Sequence, residues 1–436
     1  MNLRSRKKRH LAGSVLLVIL GVTSILGIGL ASYLLLMRWQ YASVARSQAW
    51  NASLALAEGG VDEALAQLNP AVLLFNTNID RGANDWTLGA DGMYHAPLRT
   101  LPDGSYDVAI SSDPLPIICA TGYVTIPALS ATVARSVRVT TTNVAIFRGA
   151  MVAIKGVDFK GNNVLTDSFD SMDTNYSTGG LYDSAKRKAN GDVFSTEGLI
   201  NVQNAEVMGS LYTSPDGSYT VGSGGSVGGL NWVLGGTYGL QAGHYKNDFN
   251  ADFPPVAPPY STGLPPAGAT VAGTNYTWVL GDADYMYTDP SGAKFNSGDI
   301  IFVTGRARLY VTGDFIMGAG ATMVIAPGAS IQLYVGGANA GIGQVNNQGN
   351  CATFMYFGLP GNTSINLSGN NSFLGAWYAP SADFKLSGSG TGDIDFQGSC
   401  VVNTVNMNGH FRFHFDENLK RNGGIRGYQV TSWTET

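Results

Sequence analysis

The sequence predicts an α+β anchor and head followed by a mainly β body, and three observations support this prediction. A run without any charged residue extends from Leu11 to Met37. Only 13% of the 436 residues are charged, whereas glycine is abundant at 57 residues, a composition that favours short strands joined by tight turns. The character of the sequence changes near residue 149, and between residues 305 and 336 glycines recur at a nearly constant spacing.

The charge of the chain is unevenly distributed. The net charge is −5, yet residues 1–60 contain seven Lys or Arg and a single acid, Glu58. A basic N-terminus on an acidic body argues against nucleic acid as a partner. Three cysteines are too few for a disulfide scaffold. Cys351 and Cys400 either pair or remain separate buried thiols, and both alternatives stay open.

The uncharged run predicts a transmembrane helix, because about 20 apolar residues suffice to cross a bilayer. Basic residues precede it, so the N-terminus is expected in the cytoplasm and the body outside it; they are Arg4, Arg6, Lys7, Lys8 and Arg9. A secretory signal cleaved near Ala31 is the alternative. If the helix is retained, the lipid bilayer is the first predicted partner.

The helix is predicted to continue to residue 69, over 14–69. Ala and Leu are frequent, proline is absent until Asn69–Pro70, and one apolar stripe recurs at helical spacing; it consists of Leu54, Val61, Leu65 and Leu68. Residues 70–148 contain alternating segments and turn signals that predict an antiparallel β head. We expect this sheet to bury Leu54, Val61 and Leu65.

The N-terminal residues resemble a known family. The basic leader, the segment AGSVLLVILGVTSILGIGLASYLL and the segment NASLALAEGGVDEALAQLN resemble the N-terminus of PilX-type minor pilins of type IV pilus systems. In that family a prepilin peptidase cuts after a glycine, and Gly13–Ser14 matches this junction, which implies a leader of residues 1–13. Major pilins carry Glu at the fifth mature position, where this chain has Val18. An anchor that is never cleaved is the alternative.

The resemblance implies a single-pass protein of the bacterial inner membrane, with its body in the periplasm or outside the cell. It also implies other pilin-like subunits as partners through the helix. A long helix with an apolar first half and an amphipathic second half suits both an anchor and a filament core.

The body, residues 149–436, is predicted to be a β-solenoid, with a β-sandwich as the alternative. Apolar residues recur every eight positions at Leu309, Met317, Ile325 and Leu333, with glycines between them. Three strands per turn would bury these stripes inside stacked turns. The Pro-rich segment 252–268 is predicted to be an extended insertion on the surface. The segments VLTDSFDS (164–171) and FHFDENL (413–419) resemble an uncharacterised β-rich domain often found behind PilX-type N-termini.

The candidate ligand-binding residues are acids with a lysine on outward strand positions. Asp393 and Asp395 flank Ile394, while Asp383 and Lys385 flank Phe384. Paired carboxylates can share acid and base roles or bind Ca²⁺, although such residues ordinarily form a solvated face. His410 and His414 would stand about 13 Å apart on one strand, too far to share a zinc ion. We therefore predict no catalytic residue, metal or cofactor.

Two functions remain in view from the sequence. The first is a structural or adhesive protein that displays a solenoid from a pilin-like anchor. The second is a membrane-tethered β-helix that binds or cleaves surface polysaccharide; Trp377–Tyr378 and Tyr285–Tyr287 are aromatic groups of the kind that stack on sugars. We expect these aromatics to be buried instead. A bactofilin-like scaffold whose solenoid ends stack fits less well with an exported body.

Overall fold

The computed structural model describes residues 12–69, 81–161, 163–368, 372–387, 394–408 and 410–436. It begins with one helix, α1 (Ala12–Leu68), of 57 residues, which is about 86 Å long at ~1.5 Å per residue. The most apolar window of α1 has a mean hydropathy of 2.4, and none of that window is buried in the structure. The helix is therefore long and apolar enough to span a membrane.

The second half of α1 packs on an antiparallel sheet. Its N-terminal strands are β1 (Thr87–Leu88), β2 (Met93–His95), β3 (Arg99–Leu101), β4 (Gly104–Ser111), β5 (Ile117–Ile126) and β6 (Ala131–Ala145). They lie in the order β1-β2-β4-β5-β6, with β3 also paired to β4. Arg99 anchors the helix to this sheet, because its guanidinium donates to Glu63 at 2.9 Å.

The helical face on the sheet differs from the predicted leucine stripe. Val61 and Leu68 are buried, but Leu54 and Leu65 are only half-buried. The buried face consists mostly of small residues, which are Ala49, Ser53, Ala57, Gly60 and Ala64. The reason is a close approach of helix and strand: a Cβ on Gly122 of β5 would lie 2.1 Å from the carbonyl oxygen of Ser53. Leucines fit only beside this line of contact.

The remainder of the chain is mostly β. Its elements are β7 (Met151–Lys160), β8 (Leu165–Phe169), β9 (Val193–Ser195), β10 (Leu199–Asn201), β11 (Glu206–Met208), β12 (Leu211–Thr213), β13 (Ser218–Thr220), β14 (Ser226–Gly228), α2 (Leu230–Leu234), β15 (Gly239–Leu240), β16 (Tyr245–Lys246), β17 (Ala269–Val271), β18 (Thr274–Tyr276), β19 (Trp278–Leu280), β20 (Asp284–Tyr287), β21 (Ala293–Phe295), β22 (Ile300–Val303), β23 (Arg306–Val311), β24 (Phe315–Met317), β25 (Thr322–Ile325), β26 (Ser330–Val335), β27 (Asn339–Ile342), β28 (Gln344–Asn347), β29 (Phe354–Gly358), β30 (Ser364–Ser368), β31 (Phe373–Ser387), β32 (Ile394–Asn408), β33 (Phe411–Asp416) and α3 (Leu419–Asn422). Short 3₁₀ turns lie at Pro127–Leu129, Ser184–Lys186 and Cys351–Thr353.

Most body strands pair in parallel with a strand further along the chain, as β23 does with β26 and β22 does with β25. In β23 and β26, Leu309 lies opposite Leu333, a separation of three of the predicted eight-residue units. Strands β19, β22, β25 and β28 pair successively in the same way. The predicted apolar stripe of Leu309, Met317, Ile325 and Leu333 is buried and belongs to the hydrophobic core of the body.

The last two strands of the body, β32 and β33, pair with its first two, β7 and β8. Strand β32 pairs in parallel with both β31 and β7, so that Cys400 lies opposite Trp377 on one side and Met151 on the other. Strand β33 pairs in parallel with β8. From β7 and β8 the stack continues through β9, β10 and β11 to β13 and β14. The chain thus enters and leaves this stack between its two ends.

The C-terminal strand, β34 (Ile425–Glu435), belongs to the antiparallel sheet, next to β6. By contacts the chain divides into two units: residues 1–68, 80–142 and 428–436 form one, and residues 69–79 and 143–427 form the other. The sequence analysis assigned all of residues 149–436 to the body. In the structure, β34 instead joins the antiparallel sheet of the head. A local pattern does not specify which distant strand an edge strand joins.

The Pro-rich segment 252–268 is an extended strap. Outward residues of successive strands form a line of apolar side chains that would otherwise face solvent; they are Tyr310, Tyr334, Phe357, Tyr378, Val401, Val152 and Phe194. The hydroxyl of Tyr378 donates to the carbonyl of Pro254 at 2.8 Å. Val256 is buried, and Leu264 pairs with Tyr285 of β20. The strap therefore lies against Tyr378 of the apolar line and along one strand edge.

Candidate functional site

The two motif segments noted in the sequence meet in the structure. VLTDSFDS contains β8 and FHFDENL contains most of β33, and the parallel register places His414 opposite Asp167. These residues are separated by 247 positions in the chain. The contact of β8 with β33 joins the last strand of the body to one of its first, and we call it the closure site.

His414 is the centre of the closure site. Its side chain is almost completely buried, and its two ring nitrogens face two different carboxylates. Nδ1 lies 2.5 Å from Oδ1 of Asp167, which is itself fully buried. Nε2 lies 3.2 Å from Oδ1 of Asp395, which is partly exposed. Ionised carboxylates only accept hydrogen bonds, so this arrangement suits a doubly protonated imidazole.

The electrostatics of the pair agree with this geometry. Burial opposes a charge on His414, but hydrogen bonds to Asp167 and Asp395 outweigh it, and the pKa of His414 is raised. The hydrogen bond from His414 in turn lowers the pKa of Asp395. The two carboxylates thus favour the charged form of His414, whereas its burial disfavours that form.

Residues 170–190, which we call the cover segment, lie over the closure site. The Tyr182 ring stacks on the imidazole of His414 with centroids 3.5 Å apart and an interplanar angle of 18°. Its hydroxyl donates to Oδ2 of Asp167 at 2.6 Å, and its backbone N–H donates to the side chain of Gln397. Burial and the neighbouring Asp167 raise the pKa of Tyr182, so the phenol remains a donor. Tyr182 is what excludes solvent from His414.

Further polar contacts fasten the cover segment at its two ends. Glu417 accepts hydrogen bonds from Lys188, Asn190 and Ser168. At the other end, the guanidinium of Arg421 donates to both carboxylate oxygens of Asp170 at 2.6 and 2.8 Å. These bonds join the residues after β33 to the residues around β8. The closure site is thus a network of charge-assisted bonds between the two ends of the body sequence.

A buried acid lies next to this network. Oδ1 of Asp416 accepts the backbone N–H groups of Ser171 and Asn418. Burial raises the pKa of Asp416, and burial also raises the pKa of the neighbouring Cys351 thiol. Among the residues that the structure describes, no group of three or more His, Cys, Asp or Glu side chains is arranged to hold a metal ion.

The predicted ligand-binding residues do not form one cluster. Asp395 belongs to the closure site, whereas Asp383 lies on the second half of β31 and accepts bonds from Asn403 and Thr404 of β32. Lys385 is exposed beside Asp383 on the same strand. Asp393 lies outside the described residues. Asp383 and Asp395 are therefore held by neighbouring side chains in two separate places.

The remaining sequence predictions have mixed outcomes. Gly13 and Ser14, the possible processing junction, fall within the first turn of α1, and most of the leader lies outside the described residues. Cys351 and Cys400 are both free and buried, so they do not pair. Trp377 and Tyr378 are fully buried, as expected, whereas Tyr285 and Tyr287 are only half-buried.

The sequence reasoning missed Asp167, Tyr182 and the role of His414. Strand alternation placed His414 on the outward face, where a histidine is ordinarily solvated. It is buried because the cover segment, which comes from a distant part of the chain, lies over it. The available signal was the pair of motif segments, whose charged residues are the ones that meet.

Comparison with known proteins gives limited matches. A family model described as a domain of unknown function (DUF7305) matches residues 294–422. No curated protein matches the sequence. A solved structure that aligns with the chain is the competence-associated pilin ComZ from Thermus thermophilus, at 11% identity, with a TM-score of 0.28, covering 88% of this chain and 96% of that one. A TM-score this low does not by itself indicate a shared fold.

Proposed function

We propose that the chain is a membrane-anchored, pilin-like structural protein that displays a β-solenoid outside the cytoplasm for surface interaction or filament assembly. The observation that carries the proposal is α1. Its first half is apolar and fully exposed, whereas its second half packs on the antiparallel sheet through small residues. The first half is thus left free for a bilayer or for the helices of other pilin-like subunits.

The solenoid part of the proposal is supported by the parallel register of the body. One inward line of residues continues from strand to strand through the closure site; it runs through Leu309, Leu333, Tyr356, Trp377, Cys400, Met151 and Val193. All of them are buried. A continuous interior of this kind is typical of stacked turns.

The proposed role is structural and not enzymatic. A polysaccharide-cleaving groove would need acids that are free to contact a sugar. Asp383 accepts two hydrogen bonds from β32, and Asp395 is held by His414. Both carboxylates therefore act within the protein, which favours the structural role.

The mature N-terminus tests the anchor. We would express the full chain in hosts with and without a prepilin peptidase and determine the first residue by mass spectrometry. A start at Ser14 that requires the peptidase supports the pilin-like proposal. The variant Gly13→Val should block cleavage, while Gly21→Ala serves as the control, because a Cβ at Gly21 would meet no atom within 4 Å. A start near Ala31 would contradict the proposal and favour a released protein.

A further inference from the structure

We propose that the cover segment, residues 170–190, is a proton-dependent clasp, fastened while the imidazole of His414 is charged and loosened when it is neutral. This inference concerns the body alone and goes beyond the proposed anchor function. It begins from the position of His414, whose two ring nitrogens each face a carboxylate oxygen, at 2.5 Å and 3.2 Å.

A neutral imidazole cannot satisfy both contacts. It has one N–H donor and one nitrogen lone pair. Whichever nitrogen loses its proton, either Asp167 or Asp395 then faces a lone pair, and the centre holds two carboxylates without the cation between them. Asp167 is fully buried, so a negative charge there is costly once its partner is neutral.

The cover segment is attached at this centre through Tyr182. The ring stacks on the imidazole, so loss of the positive charge removes a cation–π attraction as well. The Tyr182 hydroxyl and the buried Asp167 are joined at 2.6 Å. Repacking around Asp167, once the imidazolium charge is lost, therefore acts directly on Tyr182, and water gains access as the segment loosens.

The charged and titratable groups around His414 come from every element that packs on it. Asp167 lies on β8, Asp395 on β32, and Arg412 on its own strand. Tyr182 and Arg187 come from the cover segment, with Arg187 Nε at 3.8 Å from Asp167. Tyrosine and arginine ordinarily titrate at about 10 or above, and carboxyls near 4, whereas histidine titrates near 6.5. Because its pKa is raised from the ordinary histidine value, His414 is the first of these groups expected to lose a proton as pH rises above neutrality.

The sign follows from the raised pKa of His414. Its contribution to stability is fully present below the unfolded value of about 6.5 and is lost as pH rises through the higher value in the folded protein. The clasp is therefore closed at mildly acidic pH and looser at alkaline pH. Protection of the segment should fall up to about tenfold per pH unit in this interval.

Hydrogen exchange on the full chain in detergent micelles tests the clasp. Exchange of peptides from 170–190 would be followed by mass spectrometry between pH 6 and 9 and divided by the intrinsic rate at each pH. We expect the protection factor of these peptides to fall as pH rises, while peptides from β23 and β26 stay unchanged. Equal protection factors at pH 6 and pH 9 would overturn the proposal.

Variants identify the titrating group. His414→Gln should remove the pH dependence and leave low protection throughout, whereas His410→Gln, whose ring contacts Asn163, should behave as wild type. Asp416→Asn should keep the dependence; if it abolishes the dependence while His414→Gln retains it, the proton belongs to Asp416 and the proposal fails. If His414→Gln does not fold, Asp395→Asn decides, because loss of one carboxylate must move the midpoint to lower pH.

Discussion

Replacement of Gly122 by alanine tests the close packing of α1 on its sheet. The new Cβ would lie 2.1 Å from the carbonyl oxygen of Ser53 and 2.8 Å from the backbone nitrogen of Ala57. Real Cβ atoms essentially never lie within 3.0 Å of another atom, so helix and strand must separate by about 1 Å, as in an overpacked core. We expect a cost of roughly 1–3 kcal/mol, the usual range for such overpacking.

The measurement is hydrogen exchange of the amides in β5 and in residues 49–68. The expected cost corresponds to protection factors lower by roughly fivefold to more than a hundredfold. Gly59→Ala is the matched control on the same helix, because a Cβ there meets no atom within 4 Å. It should stabilise the helix by up to about 1 kcal/mol. If both variants exchange alike, the close approach at Gly122 does not govern this packing.

Three further predictions concern the body. Trp377→Ala should lower the free energy of unfolding by about 3–5 kcal/mol, because the ring is fully buried. Trp377→Phe should cost much less, since the indole N–H has no partner among the described residues; thermal unfolding followed by circular dichroism compares the two. The lowered pKa of Asp395 predicts that stability is present above pH ~4 and lost as pH falls through that lowered value; acid titration of Asp395→Asn should lack this component. Burial raises the pKa of Cys351 and Cys400, so both thiols should resist iodoacetamide until the protein is denatured, as mass spectrometry would detect. Rapid labelling of Cys351 or Cys400 in the native protein would contradict their burial.

The helix was predictable from the sequence because its signals are local. An uncharged run, an absence of proline and an Asn69–Pro70 end predict residues 14–69, and the structure has Ala12–Leu68. Its buried face was not predictable in the same way. Leu54 and Leu65 gave the strongest apolar pattern, but the contact depends on Gly122, a residue on a strand more than fifty positions away.

The repeating strands were predictable for the same reason, since the eight-residue pattern recurs within each turn. The closure site was not, because the pairing of β33 with β8 joins residues about 250 positions apart. The burial of His414 adds a second distant contribution, from Tyr182 in the cover segment. A one-dimensional pattern indicates which face a side chain occupies and does not indicate what later covers that face.

The place where the chain enters and leaves the body has a mechanical consequence. The backbone N–H of Ile146 donates to the carbonyl of Gly424 at 3.3 Å, so the incoming and outgoing segments run side by side. Tension applied through them would be borne by the strands that follow Ile146 and precede Gly424. The strands stacked beyond β7 and β32 on either side would carry little of that load.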